Sequence, residues 1–292
     1  MKERAVLLGK TKGLVGVVTE PRQITSAKNR PAIILLNAGL MHRIGPNRIY
    51  VQIARRLAAS GFLALRFDLS GIGDSGNRTD NLSLKDGVVS DVKEAMDFLA
   101  REEGARKFIL VGICSGANNS LRVAQSDARV IGAVPIEAYY FATPGYHLYF
   151  YGRRLFNPKG WRRLVTMKSD LWRTLGNYLI RRGNSSTTGD GWSGRAGADG
   201  RKAFRVQIVA EIEHLLGRGV SLNFVYCVGS PSYYNHYRPL RHRTASSKEF
   251  RVTLFANADH TFTLLASQQS LVNSIHDWVK AVGQGPSCVN RP

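Results

Sequence analysis

Short continuous apolar runs alternate along most of this chain with longer stretches whose apolar residues recur every three or four positions. The first pattern belongs to strands buried on both faces of a sheet, and the second to helices packed against it. Spans 4–9 and 13–19 read as two short strands joined by a polar turn, an antiparallel hairpin. PAIILLN at 31–37 is a doubly buried strand. Helical spacing through Ile49, Ile53, Ala54 and Leu57 covers 47–60, and Gly61 ends it. A strand at 62–67 leads into a glycine-rich turn at 68–76. In 84–103, Val88, Val92, Ala95, Met96 and Leu99 share one helical face. Strands at 108–112 and 130–136 bracket a helix at 117–126. Strand–helix alternation of this kind implies a mostly parallel sheet with right-handed crossovers and helices on both faces, an α/β fold.

The rhythm stops at residue 138. Residues 138–200 are rich in aromatics and arginine at irregular spacing and end in a polar tract over 184–200 of linker-like composition. It resumes with a helix near 202–217, strands at 220–228 and 250–256, and a helix near 267–282. The expected organisation is an α/β core of 1–137 and 201–283, an inserted cap at 138–200 with a flexible tract at 184–200, and a loose tail at 284–292. Ligands bind beyond the carboxyl ends of strands in open α/β sheets, so the cap should lie over that edge.

Composition narrows the class. The chain has 292 residues and 43% hydrophobic residues, enough for a substantial core. Its three cysteines, Cys114, Cys227 and Cys288, follow no metal spacing and form no dense disulfide framework. No signal segment and no bilayer-length apolar run is present, so a soluble cytoplasmic protein is expected. The formal net charge is +20. Such a balance suits an anionic partner, and equally a basic surface that serves only solubility. Between 152 and 182 nine Lys and Arg face a single acid, Asp170, but no nucleic-acid motif accompanies them, so nucleic acid ranks below an anionic substrate.

Candidate chemistry centres on FILVGICSGA at 108–117, which places Cys114 between small residues at a strand-to-helix turn. A nucleophile there projects from a strained backbone, and the helix that follows favours a thiolate. A buried structural cysteine would give the same pattern. His260, between the last strand and the last helix, is the candidate base. Ser115 is a second candidate nucleophile, but Gly112 and Gly116 put Cys114 at the apex.

These residues, with NAGLMHRIGPNR at 37–48, LRFDLSGIGDSG at 65–76 and DHTF at 259–262, resemble the α/β-hydrolase superfamily over nearly the whole length. The chain is most similar to the serine-aminopeptidase-like and exosortase-associated hydrolase branch. That resemblance implies a nucleophile–acid–histidine triad and an oxyanion hole from backbone N–H groups of Ser115 and of Gly39 or Leu40. Two features depart from it. The usual serine is Cys114, as in dienelactone hydrolases and polyester synthases. The acid expected after the strand at 220–228 is replaced by Ser230; some members of the superfamily take their acid from the position that Glu137 matches, so Glu137 is the candidate acid, with Asp259 or no acid at all as alternatives.

His42, Arg43, Tyr139 and Tyr140 are the candidate substrate contacts. Arg43 could clamp an anion or pair internally with Asp68 or Asp74. Asp68 and Asp74 read as turn anchors rather than metal ligands. No cofactor or metal is expected. The sequence thus predicts acyl-Cys hydrolysis of an ester or thioester, with a coenzyme A or acyl-carrier-protein thioester as one anionic donor. An acyltransferase or cyclase using the same intermediate, and a non-catalytic binding protein, are the alternatives.

Overall fold

The computed structural model describes residues 1–9, 13–22, 30–139, 146, 198–234 and 249–283. The chain divides into two compact units, one of Met1–Tyr140 with Val206–Pro292 and one of Phe141–Arg205. The expected cap apart from 138, 139, 146 and 198–200, with most of its 184–200 tract, and the 284–292 tail fall outside the described residues.

In the first unit eight strands form one sheet, ordered β1-β2-β4-β3-β5-β6-β7-β8. They are β1 (Lys2–Leu8), β2 (Leu14–Glu20), β3 (Ala32–Leu36), β4 (Ala64–Phe67), β5 (Phe108–Ile113), β6 (Val130–Ile136), β7 (Ser221–Cys227) and β8 (Phe250–Phe255). β1 pairs antiparallel with β2, and β2 with β4; every later pairing is parallel. The helices are α1 (Ile49–Ala59), α2 (Leu84–Glu103), α3 (Ser115–Ser126), α4 (Ala198–Gly217) and α5 (Leu265–Gly283). No helix among the described residues is long and apolar enough to cross a membrane.

Strand residues alternate between the faces. Ile33, Leu35, Ile109, Val111, Ile113 and Val225 join a core with α1 and α5 through Ile53, Leu57, Leu271 and Ile275. Their neighbours Ile34, Leu36, Leu65 and Leu110, on the opposite face, are equally inaccessible. The uninterrupted burial of β3, β4 and β5 is why their sequences read as solid apolar runs. In α2 the Ser83 side chain accepts the Asp86 N–H, and Gly104 closes the helix in the left-handed conformation that glycine adopts without strain.

One buried side chain fixes the carboxyl edge of the sheet. The Tyr50 hydroxyl donates to the Leu36 carbonyl (2.8 Å) and accepts the Ile113 N–H (2.9 Å). It therefore ties the end of β3 to the end of β5, one residue before Cys114. Tyr50→Phe leaves that carbonyl and N–H unpaired in the core, and should lower stability by about 1–3 kcal/mol in urea denaturation.

Candidate active site

Cys114 occupies the turn between β5 and α3 with φ 58° and ψ −115°, a conformation costly for a residue with a Cβ. Its backbone is held on both sides. The Cys114 N–H donates to the Ile136 carbonyl (2.9 Å), and the Cys114 carbonyl accepts the Ala117 N–H (3.1 Å). The flanking glycines are demanded by space. A Cβ at Gly116 would lie 2.6 Å from the carbonyl oxygens of Leu36 and Asn37, and one at Gly112 would overlap the backbone of Gly116. The thiol is half-buried and unpaired with another cysteine. Ser115 instead begins α3, and its Oγ accepts the Gly39 N–H at 2.8 Å.

Glu137 follows β6 directly, is 0% exposed and has φ 53°. Its Oε1 accepts the Cys227 N–H (2.6 Å) and the Ser230 hydroxyl (3.0 Å), and its Oε2 lies 3.3 Å from Nδ1 of His260. Nδ1 faces the carboxylate, so Nε2 is the nitrogen left for Cys114. Burial alone would depress the His260 pKa. The hydrogen bonds to Cys114 and Glu137, with the negative charges of both, outweigh it and raise the value to about 9. Thiol, imidazole and carboxylate are therefore one coupled chain.

Asp259 does not share this chain. Its carboxylate accepts the Thr263 N–H (2.7 Å) and hydroxyl (2.6 Å), closing the loop before α5. These bonds hold it below the usual carboxylate range despite partial burial. Cys227 donates to the Asp259 carbonyl (3.2 Å), and burial, with Glu137 and Asp259 nearby, pushes its thiol far up. It packs as a neutral thiol beside the site.

The loop after β3 needs two corrections to the sequence expectations. Gly39 gives its N–H to Ser115, so it is not an available oxyanion donor; the Leu40 N–H has no hydrogen-bond partner among the described residues. Arg43 is committed internally. Its guanidinium pairs with Asp68, which is 0% exposed, and with Asp74 (2.7 Å), while its N–H donates to Asp68 (2.6 Å). Asn37 adds a bond from Nδ2 to Asp68 (3.1 Å) and accepts the Leu69 N–H (2.8 Å). The two acids thus anchor the loop, and the arginine is not a substrate clamp. His42 is exposed on this loop. The Tyr139 N–H donates to Asn118 on α3 (2.9 Å) and its phenol to Glu211 (3.4 Å). Tyr140 lies outside the described residues.

Sequence reading missed two supports. Ser230, noted only as the lack of an acid, orients the acid that is present. Asn118, one turn into α3, straps the loop behind Glu137. A polar residue at either position carries no signature until the fold brings it to a strand end.

Known proteins resemble this chain in fold. Residues 29–161 match the family model for serine aminopeptidase, S33. An esterase of Pyrococcus furiosus superposes with a TM-score of 0.58 at 12% identity, covering 96% of this chain and 91% of that one. The α/β hydrolase GrgF from Penicillium sp. sh18 gives 0.58 at 16% identity, with 97% and 100% covered. An α-β serine hydrolase homologue from Coxiella burnetii gives 0.52 at 16% identity, with 96% of each covered. No curated protein matches by sequence.

The raised His260 pKa makes folding stability depend on pH. The folded value, about 9, exceeds the ordinary 6.5, so the contribution is complete below pH 6.5 and disappears as pH rises through 9. Urea denaturation should show His260→Gln costing more stability at pH 6 than at pH 10.

Proposed function

Because the chain is an α/β hydrolase in fold, we propose that it cleaves an ester or thioester through an acyl intermediate on Cys114. The observation that carries this reading is the continuous contact from Cys114 through His260 to Glu137 at the carboxyl ends of β5 and β6. A fold that had abandoned catalysis would have no reason to bury a carboxylate against that histidine, and this counts against a purely binding role. The esterase character of the Pyrococcus furiosus protein supports the same class.

Each group has a step. With its proton resting on His260, the Cys114 sulfur attacks the substrate carbonyl carbon, and the carbonyl π electrons move onto oxygen. The Leu40 and Ser115 N–H groups stabilise that oxygen. When the tetrahedral species collapses, the imidazolium gives its proton to the departing oxygen or sulfur, leaving a thioester on Cys114. Acylation removes the sulfur's charge and its hydrogen bond to His260, two of the influences that hold the imidazole protonated. His260 then becomes a better base and takes a proton from the attacking water. Glu137, held by Cys227 and Ser230, keeps Nδ1 oriented throughout.

On the substrate, the net charge of +20 supports an anionic acyl donor such as a coenzyme A or carrier-protein thioester. With Arg43 engaged by Asp68 and Asp74, its recognition falls to other cations. Acyl transfer differs only in the acceptor: an amine, alcohol or thiol replaces water.

Intact-mass spectrometry after brief exposure to a p-nitrophenyl ester should show one acyl adduct per chain, absent in Cys114→Ala. Folded wild-type protein without an adduct would defeat the reading. The acylation rate should fall as pH rises through about 9, where His260 loses the proton that it must donate.

A further inference from the structure

Ser115, whose N–H is one of the proposed oxyanion donors, also carries a hydroxyl. Its Oγ accepts the Gly39 N–H at 2.8 Å, a bond that joins the first residue of α3 to the loop after β3. The two elements meet closely here, since the space beside Gly116 is filled by the carbonyl oxygens of Leu36 and Asn37. A serine hydroxyl has one hydrogen to donate and two lone pairs. Gly39 occupies one lone pair, and no acceptor for the Ser115 hydrogen exists among the described residues. The Ser115 N–H lies in the first helical turn, where N–H groups lack intrahelical partners. Leu40 follows Gly39 in the chain, and its N–H is also without a partner among the described residues.

We propose that the Ser115 hydroxyl is a catalytic donor to the oxyanion, polarised by the Gly39 N–H that it accepts. Gly39 then acts at one remove: it loads the hydroxyl oxygen, which strengthens the O–H as a donor. The step balances simply. As the Cys114 sulfur bonds to carbon, the carbonyl π pair becomes the oxyanion lone pair, which accepts hydrogen bonds from the Ser115 O–H, the Ser115 N–H and the Leu40 N–H. On collapse the π bond re-forms, and the hydroxyl keeps its proton. Ser115 is thus excluded as a nucleophile by its role and included in catalysis by its side chain.

The proposal rests on the acyl-Cys114 reading, and the test separates the two. Two reactions of Cys114 are compared, acylation by p-nitrophenyl butyrate and alkylation by iodoacetamide. Alkylation displaces iodide directly and forms no oxyanion, so it reports only on the thiol and its surroundings. In Ser115→Ala, acylation should slow by about 10- to 100-fold with KM within about twofold, while alkylation stays within about twofold of wild type. Ser115→Thr, which keeps the hydroxyl, should recover most of the acylation rate. Binding of a trifluoromethyl ketone, whose adduct with Cys114 carries the oxyanion, should weaken in Ser115→Ala by a similar factor. Equal acylation in wild type and Ser115→Ala would overturn the proposal. So would a parallel loss of acylation and alkylation, which marks a structural role. Wild-type protein that alkylates but does not acylate would remove the hydrolase reading itself.

Discussion

The turn from β5 into α3 closes so tightly on itself at Gly112, and passes so close to the end of β3 at Gly116, that only glycine fits at either position, and this geometry governs the site. It holds Cys114 at positive φ and brings the first turn of α3 against the loop after β3. Tyr50 locks the same two strand ends from behind. Further non-glycine residues near the site have positive φ, among them Glu137 at 53° and Phe262 at 54°. Each costs on the order of 1–2 kcal/mol and persists only because its surroundings leave no alternative. Glu137 is fixed by its N–H bond to Val225 (2.8 Å), and Phe262 by a buried ring set edge-on to Phe255. The strain is concentrated where side chains must be aimed.

Electrostatics follows from that placement. A buried carboxylate is costly unless donors surround it, and Glu137 has three: a backbone N–H, a hydroxyl and an imidazole. The imidazole in turn holds its proton between two groups that favour the cation. Cys227, almost as near to Glu137, receives the opposite treatment, because burial and the same charge hold it as a neutral thiol. Two cysteines in one neighbourhood are thus separated by their partners, one set against the imidazole and one packed as a neutral thiol.

Much of this was legible in the chain. Apolar runs marked the strands because β3 to β6 are covered on both faces, and the small-residue pattern at 112–116 marked the elbow because close approach excludes side chains. His260 was legible from its place between the last strand and the last helix. The acid was less legible: resemblance favoured Glu137, but Asp259 and no acid at all stayed open in the sequence. Only the convergence of β6 and β7 puts Glu137 and Ser230 together. Arg43 was ambiguous for a similar reason: its partners, Asp68 and Asp74, lie at least 25 residues away along the chain. Pairings across strand ends are products of topology, and no local pattern encodes them.

The account centres on one claim, that Cys114 and Glu137 together hold the proton on His260. Its most direct measurement is an NMR titration of the His260 ring in wild-type protein, Cys114→Ala and Glu137→Gln. Coupling predicts a wild-type midpoint near 9 that falls in both variants. A midpoint near 6.5 in the wild type, unmoved by either substitution, would contradict it.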